Sequence, residues 1–437
     1  MSTEPDPKII DLIQASAKDA LPEGETGFQS LEFFPPRTDT GVKNLMDRLG
    51  RMKATKPLFV DFTWGAGGST ADLTLDLTLR TKNEHGLVPN MHLTCTNMPV
   101  EKIDNALAKC KENGVRNIVA LRGDPPAGSE TWEATEGGFA CALDLVKYIR
   151  KKHGDFFGIS VAGYPEGHPN NIKEVPGGVE SLSEAEKARC KVDKDADGKE
   201  VVTVCSDADF EVEMAYIKEK IDAGADFIIT QMFFDTGVYV SYVKACRDRG
   251  IDVPVVPGLM CINAFGGFKK MTGFCLTRVP PKLMAKMEEI KASPGDDEKA
   301  VKAFGVEHGT ETCKALLAAG APGLHFYTLN LEKVTVGILS RLNRLRDYKM
   351  AEREEDTAQM IGMIKSAKKA PEHNGAQNGA DIASPAPSAV VQVHREEKEV
   401  TSGVGGTPWG GVTGRRHLNI ERVSLELVIV TKAISFS

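Results

Sequence analysis

Several short stretches set reactive side chains beside residues that would desolvate or orient them. In LEFFPP, Glu32 sits among leucine and phenylalanine, and the two prolines after Phe34 force the chain out of any strand. A carboxyl kept from water holds its proton to higher pH, which suits general-acid work near neutrality. A salt-bridged surface glutamate at a strand end is the plainer alternative. In ALRGDPP, Arg122 and Asp124 flank Gly123, which lets the backbone turn between them. The guanidinium fork fits a phosphate and the carboxylate can accept from the N–H groups of a heterocycle, unless the two simply pair with each other. Gln231 follows the apolar run FIIT; its amide can serve a heterocycle as donor and acceptor, or be satisfied by the neighbouring strand. Tyr164 and His168, in AGYPEGHP, can flank a planar ring or merely stiffen a proline-bounded turn. His92, inside MHLTCT, also reads as a satisfied core histidine, and Lys220, in KEKIDAGAD, as part of a solvated helix face.

Some familiar sites are missing. Gly65, Gly67 and Gly68 in DFTWGAGGST do not make G-x-G-x-x-G, and no G-K-[ST] follows, so neither a Rossmann fingerprint nor a P-loop is present. No H-E-x-x-H and no clustered Cys/His ligands occur, so no metal is expected.

The elements that must position these groups are eight apolar runs, at 28–34, 57–64, 89–96, 115–123, 156–164, 225–234, 253–260 and 323–330. Between them lie amphipathic stretches. In 99–113, Pro99 opens a helix, Ile103, Ala106, Leu107 and Cys110 share a face, and Gly114 ends it. In 208–224, Phe210, Met214, Ile217 and Ile221 line one side and Gly224 follows. This alternation predicts an α/β (β/α)8 TIM barrel with chemistry at the carboxyl ends of its strands. Glu32, Thr63, His92, Arg122 with Asp124, Tyr164, Gln231 and Tyr327 fall at those ends.

Composition narrows the function classes. The 437 residues are 41% hydrophobic and 26% charged, ordinary globular values. A net charge of −7 offers no basic field for nucleic acid. Nine scattered cysteines without a C-x-x-C pair suit reduced thiols in the cytosol. No apolar stretch is long enough to span a membrane, and the acidic N-terminus lacks a secretory signal. The expected layout is an N-terminal extension at 1–20 and a catalytic barrel at 21–347, followed at 348–437 by a charged helix, a low-complexity linker and a short β-like remnant. Within the barrel, 169–207 reads as a polar surface insertion. Its DKDADGKE weakly resembles a calcium loop but lacks that loop's spacing, so a solvated loop is expected.

Taken in order, LEFFPPR, HLTCT, ALRGDPP, AGYPEGHP, KIDAGADFIITQMFFD, VVPGLM and HFYTLN closely resemble the methylenetetrahydrofolate reductase family over roughly residues 20–347. The resemblance implies a non-Rossmann FAD site on the barrel and ping-pong transfer from NADH or NADPH, through FAD, to 5,10-methylenetetrahydrofolate. The product is 5-methyltetrahydrofolate, which supplies methyl groups for methionine synthesis. By position, Glu32 is the general acid that helps open the imidazolidine ring, Asp124 faces flavin and pterin, and Gln231 binds the pterin. Thr63, Trp64, His92, Arg122, Gly123, Asp124, Cys141, Ala142, Tyr164, His168, Glu213 and Lys220 match FAD contacts, with Arg122 and Lys220 suited to its phosphates. Tyr327 matches a folate contact. Family members form homo-oligomers, and the same is expected here.

The sequence also departs from the family. Glu213 stands where many members carry Asp, Asn170 and Asn171 replace the usual Glu-Ala pair, and Leu331 sits where bacterial and animal relatives carry a folate-facing Arg, a position that also varies in fungal and plant members. Eukaryotic relatives append a domain that binds S-adenosylmethionine and inhibits the reductase. After the linker at 370–415 only a short piece remains, so a reductase without that inhibition is expected. Two alternatives compete. One is an impaired paralogue that only binds flavin or folate, against which Glu32, Asp124 and Gln231 speak. The other is a Schiff-base lyase, which needs a strand-borne lysine that none of the eight runs contains.

Overall fold

The computed structural model describes residues 4–18, 27–65, 68–95, 98–123, 137–195, 197–293 and 297–345. Asp124 and everything after residue 345, including the expected charged helix, linker and remnant, lie outside the described residues.

All eight apolar runs become strands. They give β1 (Phe28–Phe33), β2 (Val60–Phe62), β3 (Pro89–Thr94), β4 (Asn117–Leu121) and β5 (Gly158–Gly163). Three short strands follow, β6 (Ile172–Glu174), β7 (Lys191–Lys194) and β8 (Glu200–Cys205). The barrel resumes with β9 (Phe227–Thr230), β10 (Val255–Val256), β11 (Gly258–Met260) and β12 (Gly323–Tyr327). Every neighbouring pair in the large sheet is parallel, in the order β10-β9-β5-β4-β3-β2-β1-β12-β11.

The two ends of that order are halves of the seventh run, so the sheet closes on itself. The break falls at Pro257, which has no N–H to donate. Its carbonyl accepts from His325 N at 3.0 Å, and pairing passes there from β9 to β12.

Strand register decides which side chains meet inside. Glu32 pairs with Asp61 on one side and Tyr327 on the other; Asp61 pairs with Asn90, and Ser30 with His325. Because side chains alternate along a strand, these residues share the inner face with His92, while Leu31, Phe33, Val60, Phe62, Met91 and Leu93 join the outer core beneath the helices.

The helices are α1 (Ile9–Lys18), α2 (Asp39–Met52), α3 (Ala71–Arg80), α4 (Val100–Glu112), α5 (Ala142–His153) and α6 (Glu184–Arg189). They continue with α7 (Asp207–Asp222), α8 (Thr236–Asp248), α9 (Phe265–Phe274), α10 (Pro281–Ala292), α11 (Asp297–Ala318) and α12 (Lys333–Arg341). Helix α4 buries Ile103, Ala106, Leu107 and Cys110 as the spacing predicts, with Pro99 just ahead of it as N-cap. Gly114 then turns the chain at φ 70° toward β4. Helix α7 differs from expectation. Met214 and Ile217 are buried, but Phe210 and Ile221 are only partly so, and the polar Glu213 and Lys220 take the buried face with them.

The N-terminal residues plug the amino end of the barrel. Ile9, Ile10 and Ile13 pack with Phe28, Phe59, Phe227 and Val256. Burying such side chains contributes about 1.5–3 kcal/mol each. Asn117 fixes the entry, its Oδ1 accepting from Ile9 N at 2.8 Å and its Nδ2 donating to Pro7 O at 3.1 Å. Ligands must therefore enter from the carboxyl end.

The stretch read from composition as a polar insertion is itself folded. Strands β6, β8 and β7 make a small antiparallel sheet, with Leu182, Cys190, Val202 and Val204 as its core. Ser183 starts α6 with a capping box to Glu186. In DKDADGKE, Asp195 Oδ1 accepts from the backbone N–H of Asp197 and Lys199, at 3.0 and 2.9 Å, so this acid holds a hairpin turn. Among the described residues no two cysteines are joined by a disulfide, and no helix is long and apolar enough to cross a membrane.

Candidate active site

Four strands on one arc of the barrel, β12, β1, β2 and β3, carry polar residues at alternating positions. Their side chains form one buried cluster. His92 Nε2 lies 3.4 Å from Glu32 Oε2 and 3.4 Å from Asp61 Oδ2. His325 Nε2 lies 3.5 Å from the same Glu32 oxygen and 3.9 Å from Asp61 Oδ2. Ser30 Oγ meets His325 Nδ1 at 2.9 Å, and Asn90 Nδ2 donates to Asp61 Oδ2 and Ser160 Oγ, each at 3.3 Å. Glu32 is only 3% exposed, so it is no surface glutamate, and His92 is as buried as a core residue but in polar company.

The electrostatics follow from this packing. Burial alone would lower the pKa of His92, but the hydrogen bond to Asp61 and the charges of Glu32 and Asp61 outweigh it, and the imidazole is shifted upward. A His92 proton then stands between two carboxylates. Tyr327 is held protonated by burial first and by the same two acids second. Its hydroxyl donates to Thr230 O at 2.6 Å, over Gly258, where a Cβ would collide with both of those oxygens. The ligand atoms of Glu32, Asp61 and His92 lie within 4.8 Å of one another, close enough for a cation by spacing. The shared imidazole proton accounts for the same approach through hydrogen bonds.

Asp61, His325, Ser30 and Asn90 are the site residues that the sequence reading missed. Their signal is a two-residue polar spacing within apolar runs: Ser30 with Glu32, Asp61 with Thr63, Asn90 with His92, His325 with Tyr327. Such alternation marks the inner face of a barrel strand.

Toward the mouth, buried polar atoms are left without hydrogen-bond partners: Thr63 Oγ1, Trp64 Nε1, Thr94 Oγ1 and Gln231 Nε2. Since buried polar groups are normally satisfied, they mark surface shaped for a ligand. Gln231 Oε1 accepts from Met232 N at 2.8 Å, so the amide presents its NH2 as donor. Across the mouth, Val119, Leu121, Ala162 and Met232 supply an apolar wall.

Several expected cofactor residues take specific positions. Tyr164 and His168 do not flank a gap. Their ring centroids are 4.7 Å apart at 65°, so they pack on each other edge to face and cannot sandwich a third ring. Both oxygens of Glu213 accept from His168 N, at 2.9 and 3.0 Å, and Oε1 also accepts from Asn171 Nδ2 at 2.8 Å. Burial raises the Glu213 pKa, against the lowering effect of those donors. Arg122 is buried beside Gly123, whose carbonyl accepts from Arg122 Nε at 3.2 Å.

Lys220 does not lie on a solvated face. It is 2% exposed, donates to Ala162 O at 3.3 Å, and lies 4.7 Å from the centroid of the Tyr216 ring. Tyr216 Oη in turn accepts from Leu143 N at 3.4 Å, in the first turn of α5, next to Cys141 and Ala142. A helix N-terminus and a buried ammonium thus meet at one tyrosine, a setting that favours a phosphate. Unsatisfied donors and acceptors at the strand ends, an apolar wall and this cationic corner together fit a planar cofactor that carries phosphate.

Comparison with known proteins gives a consistent picture. A family model described as Methylenetetrahydrofolate reductase matches residues 17–343. The chain is 48% identical over 344 residues to the "Probable methylenetetrahydrofolate reductase (NADH)" of Oryza sativa subsp. japonica, covering 79% of this chain and 52% of the relative. It is 46% identical over 344 residues to "Methylenetetrahydrofolate reductase (NADH) 1" of Arabidopsis thaliana, with the same coverage of 79% and 52%. The "5,10-methylenetetrahydrofolate reductase" of Escherichia coli (strain K12) is 32% identical over 338 residues, which cover 76% of this chain and 98% of that protein. The chain spans about half the length of the plant relatives.

Proposed function

This chain belongs to the methylenetetrahydrofolate reductase family, and on that premise we propose that it reduces 5,10-methylenetetrahydrofolate to 5-methyltetrahydrofolate with NAD(P)H, by ping-pong transfer through a bound FAD. The observation that carries this reading is the buried acid–imidazole cluster around Glu32, below a mouth where Gln231 offers an unpartnered amide donor.

FAD, when bound, carries the two electrons from nucleotide to folate as hydride. The residues suited to hold it are Thr63, Trp64, His92, Arg122, Gly123, Tyr164, His168 and Lys220. Cys141 and Ala142 stand at the helix N-terminus beside the Lys220 corner, and Glu213 acts by holding the His168 backbone. Asp124 is assigned to flavin and pterin by family resemblance, its negative charge favouring a cationic folate.

The protein's own groups supply the proton. Glu32 gives its proton to the ring nitrogen that leaves as the imidazolidine opens, and the iminium so formed accepts hydride. His92 and His325 both meet the Glu32 oxygen, and Ser30 orients His325 from the far nitrogen, so an imidazole returns a proton to the carboxylate, the net proton of each turnover coming from solvent. Gln231 donates to the pterin, and Tyr327, already engaged with Thr230, shapes the floor of the pocket.

Both plant relatives carry NADH in their names, so NADH is the first donor to test. The experiment is a titration of the purified chain with FAD, followed by anaerobic mixing with NADH, NADPH and then the folate. Uptake of FAD with turnover of the folate is expected. FAD uptake without folate turnover would support the binding-only alternative instead.

A further inference from the structure

Asp61 has no task in the reaction as drawn above. It is wholly buried, pairs with Glu32 in the strand register, and its Oδ1 has no hydrogen-bond partner. A carboxylate so placed is costly unless its neighbours offset the burial. The groups that face it are Glu32 from β1, His92 and Asn90 from β3, and His325 and Tyr327 from β12. The closest imidazole atom, His92 Nε2, is also the atom that meets Glu32, at 3.4 Å in each case. One N–H therefore serves two carboxylates.

We propose that Asp61 is a positioning residue for proton delivery: through the shared His92 nitrogen and its own charge, it sets the pH up to which the Glu32 cluster keeps the proton that opens the folate ring. This rests on the reductase reading above.

The sign follows from charge. An ionised Asp61 makes loss of the next proton from the cluster harder, because that loss leaves two carboxylates facing each other. Asn90 works in the opposite direction. Its N–H favours the ionised form of Asp61, so removing it lets the cluster hold protons to higher pH.

Two variants of the full chain test this, Asp61→Asn and Asn90→Ala, with the folate half-reaction followed from pH 5 to 10 (roughly the span in which such a cluster titrates). Asp61→Asn should move the alkaline limb to lower pH by about one unit, the order expected for one charge at this distance in a partly screened interior. Asn90→Ala should move it upward. If Asp61→Asn does not fold, the upward shift in Asn90→Ala decides.

A second readout needs neither flavin nor folate. In ¹⁵N-histidine NMR spectra, His92 should lose its proton at lower pH in Asp61→Asn than in the parent. A rate loss uniform across pH, with the limb fixed and His92 unmoved, would make Asp61 merely structural and overturn the proposal. A parent protein that binds FAD and accepts electrons but passes none to the folate overturns the reductase reading instead, and Asp61's part in that reaction with it.

Discussion

Glu32 and Asp61 stand opposite each other on adjacent strands and meet at one atom: His92 Nε2 lies 3.4 Å from an oxygen of each carboxylate. The parallel pairing of β1 with β2 dictates this arrangement, because paired positions point to the same side of a sheet. Two buried acids around a histidine whose pKa their charges raise form a proton store. The mouth above the store presents donors and a cationic corner, and the account of function follows from the two together.

Gln231 tests the proposed pterin contact. Its Oε1 is used by Met232 N, so Gln231→Glu keeps that acceptor, replaces the NH2 donor with a carboxylate oxygen and adds a negative charge. Loss of one such bond should raise the KM for the folate about tenfold. FAD affinity, measured by fluorescence titration, should stay within a fewfold.

Glu213 tests the proposed flavin contact. Glu213→Ala strips His168 N and Asn171 Nδ2 of their shared acceptor in a buried setting. Leaving such donors unsatisfied costs about 1–3 kcal/mol. Both the melting temperature and FAD affinity should fall, while the pH optimum of folate reduction stays in place. An unchanged FAD dissociation constant would mean that this loop does not shape the flavin site.

Glu166 should make stability depend on pH. It is buried, Oε2 accepts from Arg278 N at 2.8 Å, and burial pushes its pKa up from 4.5 to about 8 against the pull of Arg278. Between those two values the folded state holds a proton that the unfolded state has released. This stabilisation is complete below about 4.5 and is lost as pH rises through about 8. The melting temperature should therefore fall as pH rises from about 4.5 to about 8. Glu166→Gln should flatten the trend; an equal slope in that variant would assign it to other groups.

Arg51 and Glu332 tie the first helix after β1 to the start of the last one. Arg51 Nη2 lies 3.0 Å from Glu332 Oε1, and the Glu332 side chain is only 3% exposed. Arg51→Ala leaves that carboxylate buried without its cation and should cost about 3–5 kcal/mol in denaturant unfolding. Replacing both residues with apolar ones should recover much of the loss.

The barrel was legible because strands covered on both faces read as continuous apolar runs, and each of the eight runs holds a strand. Pro257 was visible within the seventh run, but its effect depended on pairing: only with β9 and β12 in place does a missing N–H become a change of partner. Glu32 and Gln231 stood out because each interrupts or ends an apolar run. Asp61 and His325 did not, although their spacing from Thr63 and Tyr327 carried the signal. Lys220 was read outward because charged residues usually face solvent on a helix, whereas here β5 and Tyr216 receive it. The sheet formed by β6, β7 and β8 was hidden by its polar composition, since its core needs only four buried side chains.

The most direct test of the central claim is anaerobic stopped-flow of the two half-reactions in Glu32→Gln. Glutamine keeps the shape of the side chain and cannot give up a carboxyl proton. The account predicts that NADH still reduces the bound flavin at close to the parent rate. Oxidation of the reduced protein by methylenetetrahydrofolate should fall by about 10²–10⁴-fold, the size of a lost general acid. Equal loss in both half-reactions, or folate reduction at the parent rate, would contradict it.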